Sequence, residues 1–234
     1  MSWKCTAATP AARVSRRTAD ALRGLGGLTT LPDHDQTFLH ERGLLEADGR
    51  PTAAGQLLRH DLHSSSVVLL YAVDTEGVHR ARLHVGRRRL LYVGGPGPEH
   101  TPDTADILIY PADAVPIVLA RWGGLHPSEE TTDEQYGPIC ASDFWQLLTT
   151  ADPGPLLALD SAQEELWNAP WRIWGVQSDP HGVSLAYLDV EGRGTYAIRH
   201  DAGQVTIRGR HSSLLWGDLL ATSTAIRGRR GCDW

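Results

Sequence analysis

The chain has 234 residues, of which 41% are hydrophobic and 21% are charged. This composition fits a globular protein with one large domain or two small packed ones, and it excludes a disordered chain. The formal net charge of −6 argues against a surface that broadly attracts nucleic acid or anionic lipid, because such partners require clustered Lys and Arg.

The cysteines and the N-terminus indicate the cellular compartment. The three cysteines, Cys5, Cys140 and Cys232, are odd in number and far apart, which excludes a disulfide framework and a paired-cysteine zinc site. Small and polar residues follow Lys4 where a signal peptide needs an apolar stretch, and no later run reaches the length of a membrane span. We therefore expect a cytoplasmic protein.

Three helices are predicted in the N-terminal part of the chain. Apolar residues at near-helical spacing predict the first over residues 11–25. Asp33 is placed to cap a second helix and Thr52 to cap a third, with Asp48-Gly49 forming a turn between them.

From residue 66 the apolar period changes to two, which predicts strands. The expected strands cover residues 67–73, 78–85, 90–93 and 107–110, and a helix opens at Pro111-Ala112-Asp113. In the second strand Ala81, Leu83 and Val85 alternate with Arg80, Arg82 and His84, as in a half-buried antiparallel sheet.

The same order of elements returns about 105 residues later along the sequence. Strands are expected at 171–177, 183–190, 195–200 and 205–208, followed by a helix over 213–222. The proposed register places VHRARLHV at 78–85 over VSLAYLDV at 183–190. The predicted fold class is α+β, a quasi-two-fold repeat of antiparallel four-strand-and-helix halves with N-terminal helices.

The expected organisation is a single domain over residues 1–234, made of half 1 (about 33–125) and half 2 (about 160–224). Residues 126–137 are predicted to form an acidic linker, and a helix carrying Phe144 follows. Ser161 and Glu164 have the spacing of a capping box. Residues 225–234 are expected to be a flexible basic tail.

Motifs for catalysis and for metal or cofactor binding are missing from the sequence. The eleven histidines form no HExxH motif or Cys/His cluster, and no GxSxG motif occurs. The glycines at 94, 95 and 97 lie between two strands and not before a helix, so a phosphate-binding loop is not expected. We predict no catalytic residue, no metal and no cofactor, and therefore no enzyme.

A winged-helix DNA-binding regulator is the main alternative. Residues 43–58, GLLEADGRPTAAGQLL, resemble the wing region of such regulators. Residues 33–48, however, carry five acidic side chains against Arg42 as their one arginine, whereas a recognition helix should be basic.

The basic hairpin and the tryptophans are candidates for binding. Arg87-Arg88-Arg89 is suited to an anionic ligand or an acidic protein surface, although a charged hairpin tip is also typical of a solvated turn. The tryptophans at 122, 167, 171, 174 and 216 are chiefly core candidates, and tryptophan is also enriched at interface hot spots.

Several segments together resemble the EspG chaperones of the ESX (type VII) secretion system. They are the segment with Phe38-Leu39, Gly43-Leu44-Leu45 and Asp48-Gly49, the RLLYV strand at 89–93, the stretch 107–119 with PADA at 111–114, and GTY at 194–196 with VTI at 205–207. This resemblance implies a quasi-two-fold α+β fold. It also implies a cytoplasmic adaptor that keeps PE–PPE-type secretion substrates soluble by covering the tip of a helical bundle. A toxin-neutralising immunity protein is a further alternative.

A chaperone requires a half-exposed apolar surface with a polar rim. The outward phase of the predicted sheet and the adjoining hairpin have this mixed character. The expected partner-binding residues are Arg80, Arg82, His84, Arg87, Arg88, Leu185 and Tyr187.

Overall fold

The computed structural model describes residues 12–24, 30–63, 65–95, 103–125, 134–150, 166–178 and 183–228. The chain divides into two compact units. The first unit contains Met1–Val68 and Ala81–Val115, and the second contains Leu69–Arg80 and Pro116–Trp234. These boundaries differ from the predicted halves, 33–125 and 160–224, which stay a prediction.

The described residues include a ten-stranded sheet, which confirms the predicted α+β class. Its strands are β1 (Ala12–Ser15), β2 (Ser66–Asp74), β3 (Gly77–Val85), β4 (Arg89–Gly94), β5 (Thr104–Pro111), β6 (Gln135–Cys140), β7 (Trp171–Ser178), β8 (Val183–Val190), β9 (Gly194–Asp201) and β10 (Gln204–Gly209). Their order in the sheet is β1-β5-β4-β3-β2-β7-β8-β9-β10-β6.

Helices precede and follow the strands β2–β5 and the strands β7–β10 along the chain. They are α1 (Arg16–Leu22), α2 (Asp33–Glu41), α3 (Ala53–His63), α4 (Val115–Gly123), α5 (Ala141–Thr150) and α6 (Ser212–Gly228), and a 3-10 turn at Ala112–Ala114 precedes α4. Each run of strands is therefore followed by a helix, as predicted. Duplication of one unit, with 78–85 over 183–190, stays a prediction.

In the first unit, polar contacts from Ser15 of β1 and Asp35 of α2 fix the start of α1. The Ser15 hydroxyl accepts a hydrogen bond from the Thr18 N–H at 3.3 Å, which caps the helix. The buried Asp35 carboxylate accepts from the Ser15 N–H at 2.9 Å and from the Thr18 hydroxyl at 2.6 Å. Although burial acts to raise it, these hydrogen bonds hold the pKa of Asp35 below its usual range.

Thr52 and Gly55, at the start of α3, pack against the backbone of Gly43 and Leu44, which follow α2. The Thr52 hydroxyl donates to the Gly43 carbonyl at 2.6 Å and accepts from the Gly55 N–H at 3.1 Å. A side chain at Gly55 would collide with the Leu44 carbonyl, so α3 needs glycine there. The α1–α3 segment packs on β4 and β5 through a core that includes Leu39, Leu58, Leu62, Leu91 and Ile107.

The second unit is built on the antiparallel meander β7–β10, with β6 paired to β10. Its core includes Trp167 and Trp171, whose rings meet edge to face at a centroid distance of 5.6 Å. Trp174 is fully buried, stacks at 4.7 Å from Tyr187 and donates its indole N–H to Asp189 at 2.7 Å. These three tryptophans are core residues, as expected.

Most predicted strands and helices are confirmed to within a few residues, and three assignments are wrong. Residues 12–15 form β1 and not the start of a helix, because they pair with β5. Residues 135–137 belong to β6 and not to a linker. Residues 225–228 continue α6 and are not a flexible tail. The Ser161–Glu164 capping box and residues 229–234 lie outside the described residues.

Candidate protein-binding groove

A groove of about 1030 Å³ lies in the first unit, lined by α2, α3, the hairpin between β3 and β4, and β5. Its apolar lining includes Phe38, Leu57, Leu58 and Ile109. Leu57 is 65% exposed although it is a large aliphatic residue. This is the type of half-exposed apolar surface that interaction sites use.

Arginines from two elements line the same groove. Arg42 lies at the end of α2, and Arg87, Arg88 and Arg89 lie on the hairpin; all four are exposed. The Arg42 guanidinium is 5.3 Å from the centroid of the Phe38 ring, which is the geometry of a cation–π contact. The groove thus combines an apolar floor with a cationic rim, in a chain whose net charge is −6.

The conformation of the basic hairpin is fixed by one carboxylate, that of Asp61 in α3. Its Oδ1 atom accepts a hydrogen bond from the Arg87 N–H at 2.5 Å. Its Oδ2 atom accepts from the Arg88 N–H at 3.0 Å and from the Arg89 N–H at 2.7 Å. The three arginines thus bind Asp61 through their backbone N–H groups, and their side chains are exposed.

Gly86 is required at the base of this hairpin. A Cβ atom there would collide with the Asp61 carboxylate and lie 2.8 Å from the Arg89 carbonyl. The Gly86 N–H also donates to that carbonyl at 2.7 Å. Glycine and aspartate together therefore join the hairpin tightly to α3.

Among the predicted partner-binding residues, the structure places Arg87 and Arg88 in the groove. Arg82 in the first unit and Arg80 in the second are exposed residues of β3, outside the groove lining. Leu185, on β8 of the second unit, is half-buried.

His84 was expected on the outward phase of β3, and the structure shows that this is wrong. Its side chain is 2% exposed, and its Nδ1 atom has no hydrogen-bond partner among the described residues. Burial, with the nearby Arg23 and Arg82 charges, lowers the pKa of His84 to about 3. A neutral, buried imidazole is not available to contact a partner.

Tyr187 was likewise expected to face outward, and it is buried at 2% exposure. Its hydroxyl donates to Asp218 of α6 at 2.9 Å, and Arg210 contacts the same carboxylate at 2.7 Å. Burial, followed by the Asp218 carboxylate, raises the pKa of Tyr187. Tyr187 is therefore a structural residue that packs on Trp174 and links β8 to α6.

A second exposed apolar surface lies on α6, in the second unit. Leu214 is 52% exposed, Trp216 40% and Leu220 54%. Trp216 and Leu220 are four residues apart and so lie on one face of the helix. Trp216 was expected chiefly as core, and its exposure instead fits the interface role that tryptophan often has.

Three side chains at the β2–β3 turn approach the geometry of a cation site. Asp74, Glu76 and His79 place one potential ligand atom each within 4.8 Å of one another. The His79 Nε2 atom is 3.2 Å from Asp74 Oδ1, and the Glu76 N–H donates to the same oxygen at 2.9 Å. These hydrogen bonds stabilise the turn and explain why the three side chains lie close together, so no metal is assigned to the cluster.

Cys140, the last residue of β6, is exposed and carries a free thiol. Its Sγ atom is 3.1 Å from the Ser142 hydroxyl, and hydrogen bonding with Ser142 lowers the pKa of Cys140. The same Ser142 hydroxyl donates to the Asp143 carboxylate at 3.2 Å, and the charge of that carboxylate acts to raise the pKa of Cys140. Cys5 and Cys232 lie outside the described residues.

The groove was only partly predictable from the sequence. The hairpin arginines were identified by their clustering, whereas Phe38, Leu57 and Asp61 were not singled out as site residues. Leu58 and Leu62 in the same helix are buried, whereas Leu57 lies off their face. Nothing in the sequence indicates that Asp61, in α3, contacts Arg87, which lies 26 residues further along the chain.

Comparisons with known proteins give a likeness in structure alone. No protein-family description matches the sequence, and no curated protein matches it. The fold is similar to that of EspG5, the type VII secretion system chaperone of Mycobacterium tuberculosis, solved in complex with a PE25–PPE41 dimer. The TM-score is 0.51 at 11% sequence identity, covering 91% of this chain and 95% of that chain.

The helices of the described residues include none that is long and apolar enough to cross a lipid bilayer. The fold of this chain is thus similar to that of EspG5, and its first unit has an apolar groove with an arginine rim.

Proposed function

We propose that this protein is a cytoplasmic binding protein of the secretion-chaperone type. In this proposal it covers the exposed end of a helical partner, such as a PE–PPE secretion substrate, and acts without catalysis. The fold of the EspG5 chaperone supports the partner class, but a fold alone does not imply a function. The observation that carries the proposal is the half-exposed groove, with Leu57 at 65% exposure among four arginines.

The proposed contacts are Arg87 and Arg88 in the groove, with Arg80, Arg82 and Leu185 as further contacts. The arginines are exposed, and none is used to build the core. Arginine suits such a rim because its planar guanidinium donates several hydrogen bonds to carboxylates and carbonyls. His84 and Tyr187 are excluded from the set because both are buried.

Co-expression with PE–PPE pairs encoded in the same genome tests this function. We expect a larger soluble fraction of the PE–PPE pair and co-elution of all three chains in size-exclusion chromatography. Unchanged solubility and separate elution with every pair would refute the chaperone role.

The winged-helix regulator is distinguished by its response to DNA. Binding to arbitrary duplex DNA that is micromolar and weakens steeply with salt would favour the regulator. We expect no such binding, because the groove floor is apolar and α2 carries Asp33, Asp35 and Glu41.

A further inference from the structure

We propose that the groove of the first unit takes an acidic segment of a partner protein, with an apolar side chain buried on the floor and carboxylates held by the arginine rim. This inference rests on the proposed function, and it names the chemistry of the segment that the site recognises. Four features of the groove support it: its size, its charge, its rigidity and its apolar floor.

The size of the groove favours a chain segment over a small ligand. Its volume of about 1030 Å³ lies just above the range for small-molecule pockets, about 300–1,000 Å³. The lining extends from Phe38 in α2 through Leu57 in α3 to Tyr110 in β5. A helical turn that carries several side chains matches this extent, whereas a single anion would leave the apolar floor uncovered.

The charge of the lining favours an acidic segment. Asp61 is the one acidic residue of the lining, and its two oxygens already accept the Arg87, Arg88 and Arg89 N–H groups. None of these arginine side chains, nor that of Arg42, forms an ion pair with another described residue. The rim therefore presents uncompensated positive charge, which attracts carboxylates and repels basic segments.

The rigidity of the hairpin favours specific recognition. Because Asp61 fixes the backbone at three consecutive N–H groups, binding does not have to order the hairpin. Preorganisation of this kind lowers the entropic cost of association. The cation–π contact of Arg42 with Phe38 restrains the Arg42 side chain as well.

The apolar floor distinguishes a protein segment from nucleic acid. Nucleic acid interfaces are polar and strongly basic. Here Leu57, Leu58 and Ile109 supply an apolar lining, which the bases and phosphates of a nucleic acid would leave uncovered. An acidic segment with an apolar anchor satisfies both parts of the groove at once.

The test uses three fluorescein-labelled peptides in an alanine-based helical host and the full-length protein. The first peptide has leucines at i and i+4 flanked by glutamates; the second replaces each glutamate by glutamine; the third replaces each leucine by alanine. Fluorescence polarisation in low salt should show binding of the first peptide, with the other two at least about 5-fold weaker.

Matched variants locate the binding site. Leu57→Ser should weaken binding of the first peptide about 5-fold or more, and Arg87→Glu with Arg88→Glu about 10-fold or more. All three side chains are exposed, and circular dichroism verifies the fold. The control variants Ile117→Ser and Arg208→Glu change equally exposed residues outside the groove and should leave affinity within about 2-fold.

Equal binding of the glutamate and glutamine peptides, no binding of the glutamate peptide, or affinity that the groove variants leave unchanged would each overturn the proposal. So would competition by duplex DNA that Arg87→Glu abolishes and Leu57→Ser does not affect. A PE–PPE complex that survives the groove variants would leave the proposed function standing and refute this inference. Binding of the glutamate peptide without any PE–PPE complex would support this inference and refute the proposed function.

Discussion

At the residue scale, the carboxylate of Asp61 accepts hydrogen bonds from three consecutive backbone N–H groups of the basic hairpin. Replacing Asp61 by alanine leaves the N–H groups of Arg87, Arg88 and Arg89 without their acceptor. We expect the Asp61→Ala change to lower the free energy of unfolding by about 2 kcal/mol, because a carboxylate that accepts backbone N–H groups is a strong acceptor.

Urea unfolding measures this loss. Glu41→Ala is the matched control, since Glu41 is an exposed helical carboxylate, and it should change stability by less than about 0.5 kcal/mol. Equal stability of the two variants would show that Asp61 does not hold the hairpin.

His84 predicts how stability depends on pH. Its pKa is lowered from 6.5 to about 3 in the folded chain by burial and by Arg23 and Arg82. Between these values the unfolded chain binds a proton that the folded chain does not, so stability falls as pH decreases through this window. The slope from this one group reaches at most about 1.4 kcal/mol per pH unit.

Urea unfolding from pH 7 to pH 4 tests the role of His84. The His84→Leu variant removes the titrating group and keeps the site apolar, so its stability should fall less steeply with acid than that of the wild type. Parallel pH profiles would mean that another group causes the acid sensitivity.

His84 also shows what alternation along a strand cannot predict. The period-two pattern separated Ala81, Leu83 and Val85 from Arg80, Arg82 and His84, and five of these six residues follow it. The pattern does not say whether the second face is covered along its whole length. His84 lies near the end of β3, where the polar phase is buried, while Arg80 and Arg82 are exposed.

At the element scale, α6 is anchored to β8 through a polar network. Asp218 accepts the Tyr187 hydroxyl at 2.9 Å and both oxygens contact Arg210 at 2.7 and 2.8 Å. We expect Asp218→Ala and Tyr187→Phe each to destabilise the fold by about 1–2 kcal/mol. The first change leaves the buried Tyr187 hydroxyl without its acceptor, and the second removes the hydroxyl that donates to Asp218.

A double-mutant cycle in urea unfolding measures the coupling of these two residues. It should be about 1 kcal/mol in favour of the pair. Leu220→Ser, in the same helix and 54% exposed, is the control and should change stability by less than about 0.5 kcal/mol. Additive effects of Tyr187→Phe and Asp218→Ala would contradict the network.

The elements that the sequence predicted well are those with their own periodicity and turn residues. Strand β8 was predicted with its observed bounds, Val183–Val190, because alternating apolar residues lie between glycine-containing turns. Strands β1 and β6 were missed because each is short and has no periodicity of its own. Pairing with β5 fixes the first, and pairing with β10 fixes the second.

At the scale of the whole molecule, the likeness to EspG5 concerns the fold. At 11% identity no residue of that chaperone is transferred to this chain. The sequence predicted the α+β class and the order of most elements. It did not predict the groove, because Phe38, Leu57, Asp61 and Arg88 come together only through packing of α2, α3 and the hairpin.

Net charge and local charge differ in this molecule, and salt separates their effects. The chain carries −6 overall, whereas the groove rim presents four arginines. Binding of the glutamate peptide should therefore weaken several-fold between about 50 and 300 mM salt, since exposed charges are screened. Salt-independent affinity in the polarisation assay would indicate that apolar contact alone holds the peptide.

Hydrogen–deuterium exchange on the full chain, free and in its co-purified PE–PPE complex, shows which surface the helical partner covers. If the groove receives the helical partner, amides in residues 38–61 and 86–89 should exchange more slowly in the complex, while those in 204–208 should be unchanged. Failure of any complex to form, or protection confined to residues outside the groove, would contradict binding of the helical partner in the groove.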